Sequence, residues 1–348
     1  MPSGQFKSSY RDDIKIFQTA WTKSWLCVLM VILIVLPFVV GQYFLYIANL
    51  IGIAVIGVLG LNILSGFTGQ ISLGHSAFVA IGAYSSTLLS LKLGIPFWLA
   101  LPAAGLITAL SGLIIAIPCL RLRGLYLAIA TFAFFFIVEY IIVHWDNLTN
   151  GTGGLTVPEP TVLGLAIDSD IKLYFIILIL VICSLAFAKN LFRTEVGRAF
   201  IAIRDNDIAA EVIGIDITRY KIYSFMICSF YASMAGSLYA ITLSFIGPEH
   251  FSFLMTIEYL AMALVGGVGT ISGSIFGAIF MTLLPEGIRL LRDALSADYP
   301  FLVTRLADLQ SSLYGLVIIL FLIFEPTGLF GLWVRIKNYW LAWPYSYR

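Results

Sequence analysis

Apolar runs of about 20 residues, the length a helix needs to cross a bilayer, follow one another along almost the whole chain. They extend from Trp25 to Val40, Phe44 to Leu64, Ile71 to Leu91, Phe97 to Pro118, Leu125 to Val143, Ile171 to Ala188 and Ile222 to Phe245. Each predicts one membrane-spanning helix. The stretch from Phe253 to Leu284 is too long for one span at about 1.5 Å per residue. Gly266, Gly267 and Gly269 interrupt it midway, so it is expected to divide into two short helices. A last span is predicted near Leu309 to Phe324, for a total of about ten. The expected fold is all-α and polytopic, with two glycine-interrupted segments. Residues 25–330 are expected to form the membrane domain, and 1–24 and 331–348 cytoplasmic tails.

Composition narrows the class. Sixty per cent of the 348 residues are hydrophobic and 11% are charged, against about a quarter charged in a soluble domain. A net charge of +1 argues against nucleic acid or a strongly acidic partner. Cys27, Cys119, Cys183 and Cys228 lie far apart with neither metal-site spacing nor a neighbouring histidine, so they read as small packing residues and no metal site is expected. Because Lys and Arg favour the cytoplasmic side, Lys7, Arg11, Lys15 and Lys23 place the N-terminus inside. Arg121 and Arg123, and the six basic residues between Lys189 and Lys221, fall on the same side. The loop from Trp145 to Ile171 has no Lys or Arg but holds Asp146, Glu159, Asp168 and Asp170, and is expected outside. Ten crossings return Arg335, Lys337 and Arg348 to the cytoplasm. The stretch from Pro285 to Arg305 comes out external despite Arg289, Arg292 and Arg305, with Glu286, Asp293 and Asp298 balancing them.

The two glycine breaks resemble each other. Residues 66–72 and 266–272 share the pattern GxxGxIS at an offset of 200, which is either a duplicated broken helix or a coincidence in a chain with 30 glycines. Backbone freed from a helix at membrane depth is tolerated only where it faces protein or a watery cavity. Gly66, Gly69, Gln70, Ser72 and His75 from the first break, with Gly266, Gly269 and Ser272 from the second, are therefore the candidate translocation pathway. A helix starting at the first break would aim its amides at a carboxylate-bearing solute. The alternative is that the glycines only permit close helix crossing while Ser and His bond between helices. Gly269, Gly273 and Gly277 form a GxxxGxxxG stripe expected to pack against another helix, within the chain or in a partner. Glu258 is the most deeply embedded acid and must be paired, protonated or beside water.

Two polar segments suit contact with soluble proteins. In residues 189–221, Asp205 or Asn206 is a candidate N-cap for a short helix through Ala209, Ala210 and Glu211 that Gly214 ends. Such a helix could dock on another protein, through Arg198, Arg204, Asp205, Ala209, Glu211 and Gly214. Solvated linkage and Mg²⁺ binding by Asp205, Asp207 and Glu211 are the other readings, the second opposed by Arg198 and Arg204 nearby. The outer loop 145–170, with Asn150, Gly151, Gly153 and Gly154, is a dense turn former.

Five stretches, GQISLGHSAFVAIGAY from Gly69, RLRGLYLAIATF from Arg121, TNGTGGL from Thr149, GRAFIAIRDNDIAAEVIGID from Gly197 and VGGVGTISGSIFGA from Val265, closely resemble the LivM-type permeases of branched-chain amino-acid ABC importers, in family order. The resemblance implies a non-enzymatic subunit in the bacterial inner membrane, both termini cytoplasmic. It implies a second permease of LivH type, two cytoplasmic ATPases and a periplasmic amino-acid-binding protein as partners, beside membrane lipid. The Ala209 to Gly214 stretch looks like the EAA-type coupling element, although its residue order departs from the consensus. No Walker A loop occurs, so ATP and Mg²⁺ belong to the partner ATPases and this chain has no cofactor. Related permeases carry urea or short amides, and the sequence leaves these open. An ion-coupled carrier is the competing class; a membrane enzyme is disfavoured, since neither HExxH nor GxSxG is present.

Overall fold

The computed structural model describes residues 20–119, 122, 124–162, 165, 166, 169–295, 312, 315–321, 323–325 and 327–342. The basic residues Lys7, Arg11, Lys15, Arg121, Arg123, Arg305 and Arg348, with Asp168 and Asp298, lie outside them, as does part of the span expected at Leu309 to Phe324. The chain divides into two compact units, Met1–Tyr46 and Ile47–Arg348. The first holds helix α1 (Ala20–Val39).

The second unit takes up α2 (Gln42–Asn62) from Ile47 and continues through α3 (His75–Leu93), α4 (Phe97–Cys119), α5 (Leu125–His144) and α6 (Asp170–Leu191). Two short helices follow, α7 (Glu195–Asp205) and α8 (Asp207–Val212), then α9 (Ile217–Leu243), α10 (Phe253–Gly266), α11 (Ile271–Leu295) and α12 (Gly328–Ala342). Among the described residues seven helices are long and apolar enough to cross a membrane, and Ser24–Val39 is a shorter apolar helix. α10 has 14 residues, about 21 Å at 1.5 Å each, too short to cross alone.

α9 is the central helix, packed along α3 and α4. Hydrophobic burial drives little association between helices already in lipid, so small residues that let backbones approach dominate such crossings. A Cβ on Gly236 would collide with the Val79 carbonyl, and one on Gly112 with the Ser229 hydroxyl. Ser229, Ser233 and Ser237, at helical spacing on α9, are fully buried.

Five boundaries differ from the sequence expectation. α2 does not end at Leu64 but tightens into a π-helical turn, Ile63–Phe67, and Thr68–Gly74 is non-helical, so α3 starts at His75 rather than Ile71. α9 starts at Ile217 rather than Ile222 because the Asp216 carboxylate caps it, accepting from the Arg219 amide at 3.1 Å. The second half of the divided segment is not short: α11 runs 25 residues straight through Pro285, so the first part of the expected external loop is helix. Proline in a membrane helix is tolerated because neighbouring groups satisfy the freed carbonyl. Finally, much of the expected C-terminal tail is helix α12, anchored where Arg335 meets the buried Glu325 carboxylate at 2.8 Å.

The two ends of the unit are distinct. β1 (Leu155–Thr156), after α5, pairs antiparallel with β4 (Phe245–Ile246), after α9, while β2 (Thr161–Val162) and β3 (Leu165–Ala166) form a separate hairpin. Since α7 and α8 precede α9 and β4 follows it, they lie at opposite ends of a helix about 40 Å long.

Candidate functional site: two joined helix breaks

The two breaks meet. Asn62, the last residue of α2 and fully buried, reaches across to the second break: its Oδ1 accepts from the Gly269 amide at 2.8 Å. Its Nδ2 donates to the Thr270 carbonyl and the Ser274 hydroxyl, both at 2.8 Å. Gly66 lies against the same amide, so tightly that a Cβ there would overlap Asn62 Oδ1 and the Gly269 nitrogen; the space admits glycine alone. Gly69 and Gly269 have φ of +72° and +76°, the left-handed region glycine enters without strain. These two corresponding positions of the GxxGxIS pattern turn the chain in the same way.

The polar side chains of the first break bind protein. Gln70 Nε2 donates to Ser224 Oγ on α9 at 2.7 Å, and Thr68 Oγ1 to the Ile63 carbonyl at 3.0 Å, which closes the π turn. Ser72 Oγ accepts from the Gly74 amide. The fully buried His75 sets its ring edge-to-face against Tyr259 and its Nδ1 3.7 Å from Cys228 Sγ. The amides at the start of α3 are not open to a solute as expected: the Leu73 amide donates to Thr131 Oγ1 at 2.9 Å and the Ser76 amide to Thr256 Oγ1 at 3.0 Å. Hydroxyls from α5 and α10 occupy the place a carboxylate would take.

In the second break, Gly266 and Gly267 pack on the Thr327–Gly328 turn that opens α12, and Ser272 is exposed. The glycine stripe works within the chain: Gly273 faces the Gly266 and Gly267 carbonyls, and Gly277 faces the Met262 carbonyl, so α10 and α11 touch backbone to backbone. Gly269 stands outside that helical face, in the turn.

The polar segment forms a folded hairpin at the same end as both breaks. α7 buries Gly197, Ala199, Phe200 and Ile203, and Phe192 before it stacks on Phe67 of the π turn at 3.6 Å between ring centres. Asn206 caps α8, its Oδ1 accepting from the Ala209 amide at 3.0 Å. Gly214 (φ +90°) and Ile215 end it, donating to the Glu211 and Ala210 carbonyls at 2.9 and 3.0 Å, a Schellman closure. Asp205 binds Arg204 rather than joining Asp207 and Glu211 around a cation. Arg198 is exposed and donates to the Arg193 carbonyl at 3.1 Å. Arg204 instead points back to the breaks, its Nη1 donating to the Gly66 carbonyl at 3.1 Å. Ala209 and Glu211 face solvent, Ala210 is buried, and Ile208, Val212 and Ile213 are 62, 82 and 74% exposed.

At the other end, residues 146–154 are tied down. Thr149 Oγ1 donates to the Ile142 carbonyl at 2.6 Å, Asn150 (φ 61°) donates through Nδ2 to Gly154 at 2.9 Å, and Gly151 is buried beside Asp146. Gly153 is exposed, and Gly154 abuts the Ile246 carbonyl where β1 meets β4. Toward this end a cavity of about 320 Å³ is lined by Glu258, Glu286, Tyr239, His250 and Tyr259 among aliphatic side chains that include Ile53 and Met262.

Residues 43–322 match the family model described as branched-chain amino acid transport system / permease component. The chain belongs to this permease family. It is 34% identical over 335 residues to the high-affinity branched-chain amino acid transport system permease protein LivM of Salmonella typhimurium, covering 89% of this chain and 75% of the relative; the Escherichia coli LivM gives the same figures. Over 119 residues, a third of the chain and 36% of the relative, it is 34% identical to the autoinducer 2 import system permease protein LsrC of Photorhabdus laumondii. No solved structure matches.

Sequence reasoning on this permease missed Asn62, Thr131 and Thr256, whose partners lie on distant segments. It also missed Ile208, Val212 and Ile213, whose signal was available: aliphatic residues at helical spacing within the most polar segment of the chain.

Proposed function

We propose that this chain is the membrane-spanning permease subunit of an ATP-driven importer for branched-chain or similar neutral amino acids in a bacterial inner membrane. The carrying observation is the aliphatic triad Ile208, Val212 and Ile213, exposed on α8 and its C-cap, a helix hydrogen-bonded at both ends. Exposed aliphatic groups on a membrane span face lipid, but in a charged segment they mark a protein contact. The partner is an ATPase, because no phosphate-binding loop exists here, and ATP with Mg²⁺ resides on that subunit. The α7–α8 hairpin then faces the cytoplasm, as do both breaks and both termini, and the β1–β4 end faces the periplasm. A second permease of LivH type completes the channel, and a periplasmic binding protein delivers the solute over the loop that follows α5.

Ile208→Asp combined with Val212→Asp is expected to abolish co-purification of the ATPase subunits while the permease still folds, since neither side chain contributes to its core. Retention of the ATPases by this double variant would refute the docking surface.

The cavity holding Glu258 is the solute's approach from the periplasmic side. Its carboxylates suit an ammonium group and its aliphatic lining an aliphatic side chain. Glu258→Gln is expected to lower uptake roughly fivefold to tenfold, the effect of about 1 to 1.4 kcal/mol, with ATPase binding intact. Uptake at the wild-type rate would remove the cavity from the pathway.

A further inference from the structure

Arg204 occupies a position that docking on a partner does not explain. It sits in the last turn of α7, two residues before the N-cap of α8. Its guanidinium binds on two sides: Nη1 donates to the Gly66 carbonyl at 3.1 Å, while Nε and Nη2 both donate to Asp205 Oδ1 at 3.1 Å. Nη1 also lies 2.7 Å from where a Cβ on Gly269 would stand, and the aliphatic stem lies 3.2 to 3.6 Å from a Cβ position on Gly69. One side chain on the cytoplasmic hairpin thus touches the left-handed glycines of both breaks and the carbonyl of a third glycine between them and Asn62. The Gly66 carbonyl belongs to the π turn, where the regular helical ladder is already disturbed. A charged donor there makes a stronger bond than water would, and the fork of Arg holds a direction as well as a distance. Asp205, 63% exposed at its side chain, orients the guanidinium from the solvent side.

We infer that Arg204 is a positioning residue for translocation: it ties the α7–α8 hairpin to the joined breaks, so that displacement of the hairpin by an ATPase moves the Gly66–Gly269 junction. This rests on the reading that α8 docks the ATPase. With the hairpin seated as observed, the Arg204 bond holds the junction of Gly66, Gly69 and Gly269 together at the cytoplasmic end. A hairpin drawn away from the membrane pulls on the Gly66 carbonyl through the guanidinium, and the break has no regular helix to resist. Phe200 and Ile203 of α7 are buried independently of Arg204, so the hairpin keeps its fold when the Arg204 bond is lost.

The test uses the whole importer, permeases, ATPases and binding protein, in proteoliposomes loaded with ATP, and measures labelled leucine taken up per ATP hydrolysed. Arg204→Ala is expected to keep the ATPases bound and to lower that ratio at least about tenfold, the size expected from losing a charge-assisted hydrogen bond. Arg204→Lys, which retains a charge and one donor but cannot hold Gly66 and Asp205 together, is expected to recover part of the loss. Asp205→Asn, at an exposed position where folding is not at stake, is expected to lower the ratio in the same direction by less. A merely structural Arg204 would reduce the amount of complex recovered and leave the ratio at the wild-type value, which overturns the inference while the docking reading stands. Loss of ATPase co-purification in Arg204→Ala also overturns it, placing Arg204 in the docking surface. Failure of the docking reading itself is read separately, from ATPases that stay bound to the Ile208→Asp, Val212→Asp variant.

Discussion

Gly277→Leu is expected to abolish recovery of folded permease, whereas Gly287→Leu, ten residues further along the same helix, is expected to be silent. At Gly277 a Cβ would overlap the Met262 carbonyl oxygen of α10 and approach the Gly266 backbone, atoms that have no rotamer to escape into. Inserting bulk into a packed core ordinarily costs about 1 to 3 kcal/mol, because side chains and backbone shift to absorb it. Here the obstacle is the facing backbone, so α10 and α11 must separate. That separation also pulls the Gly269 turn away from Asn62 and undoes the second break. A total stability of about 5 to 15 kcal/mol leaves little reserve against losing a whole helix contact. Gly287 meets nothing within 4 Å, and a leucine on an exposed membrane helix face matches lipid. Size-exclusion profiles of detergent-solubilised fluorescent fusions separate the outcomes. A monodisperse peak of wild-type height for Gly277→Leu would mean that the α10–α11 contact is dispensable. Gly277→Ala is the graded case and should already lower the peak, since the Cβ alone collides.

The contrast between these two glycines also shows what a sequence discloses about such a fold. Gly273, Gly277 and Gly287 are equal as letters, and the GxxxG spacing correctly marks the first two for close contact but is silent on whether the partner helix is in the chain. Hydropathy located the long helices because the bilayer imposes their length and apolarity residue by residue. Asn206 and Gly214 were readable as the two ends of a short helix because caps act over three or four positions. What stayed hidden was set by distance along the chain or by competition between local rules. Pro285 reads locally as a stop, yet α11 passes through it. β1 and β4 are two residues each and pair across a separation of about ninety positions, without any alternating pattern to announce them. Arg204 was legible as a polar residue beside the hairpin turn but not as one turned inward, because its acceptor is the backbone of a glycine 138 positions away. The repeated GxxGxIS pattern located both breaks, and nothing in it indicated that they touch.

That contact depends on a residue with no sequence signature at all, and Asn62→Leu is expected to uncouple the breaks. Leucine matches asparagine closely enough in size to leave no large void, so the change isolates the three hydrogen bonds to Gly269, Thr270 and Ser274. Hydrogen bonds between membrane helices average about 0.6 kcal/mol each, so three of them amount to roughly 2 kcal/mol. To this is added the Gly269 amide, left dry against an aliphatic side chain, at about 1 to 3 kcal/mol. Asn62→Leu should therefore lower the thermal midpoint of the solubilised protein well beyond Ser274→Ala, which removes a single hydroxyl and leaves Asn62 bound to both backbone groups. Uptake should separate the two variants more sharply than stability does. Ser274→Ala keeps Gly66 and Gly269 in register and should transport nearly normally. Asn62→Leu frees the two turns to move independently and should fall to background even in the fraction that remains folded. Asn62→Asp sharpens the assignment, because it retains the acceptor for the Gly269 amide but loses both donors and places a carboxylate in a fully buried position, a costly exchange at membrane depth. It should be at least as damaging as Asn62→Leu, whereas a clamp consisting only of the Gly269 bond would make it the milder of the two. Equal midpoints for Asn62→Leu and Ser274→Ala would show that packing of Gly66 on Gly269, rather than the asparagine, joins the breaks.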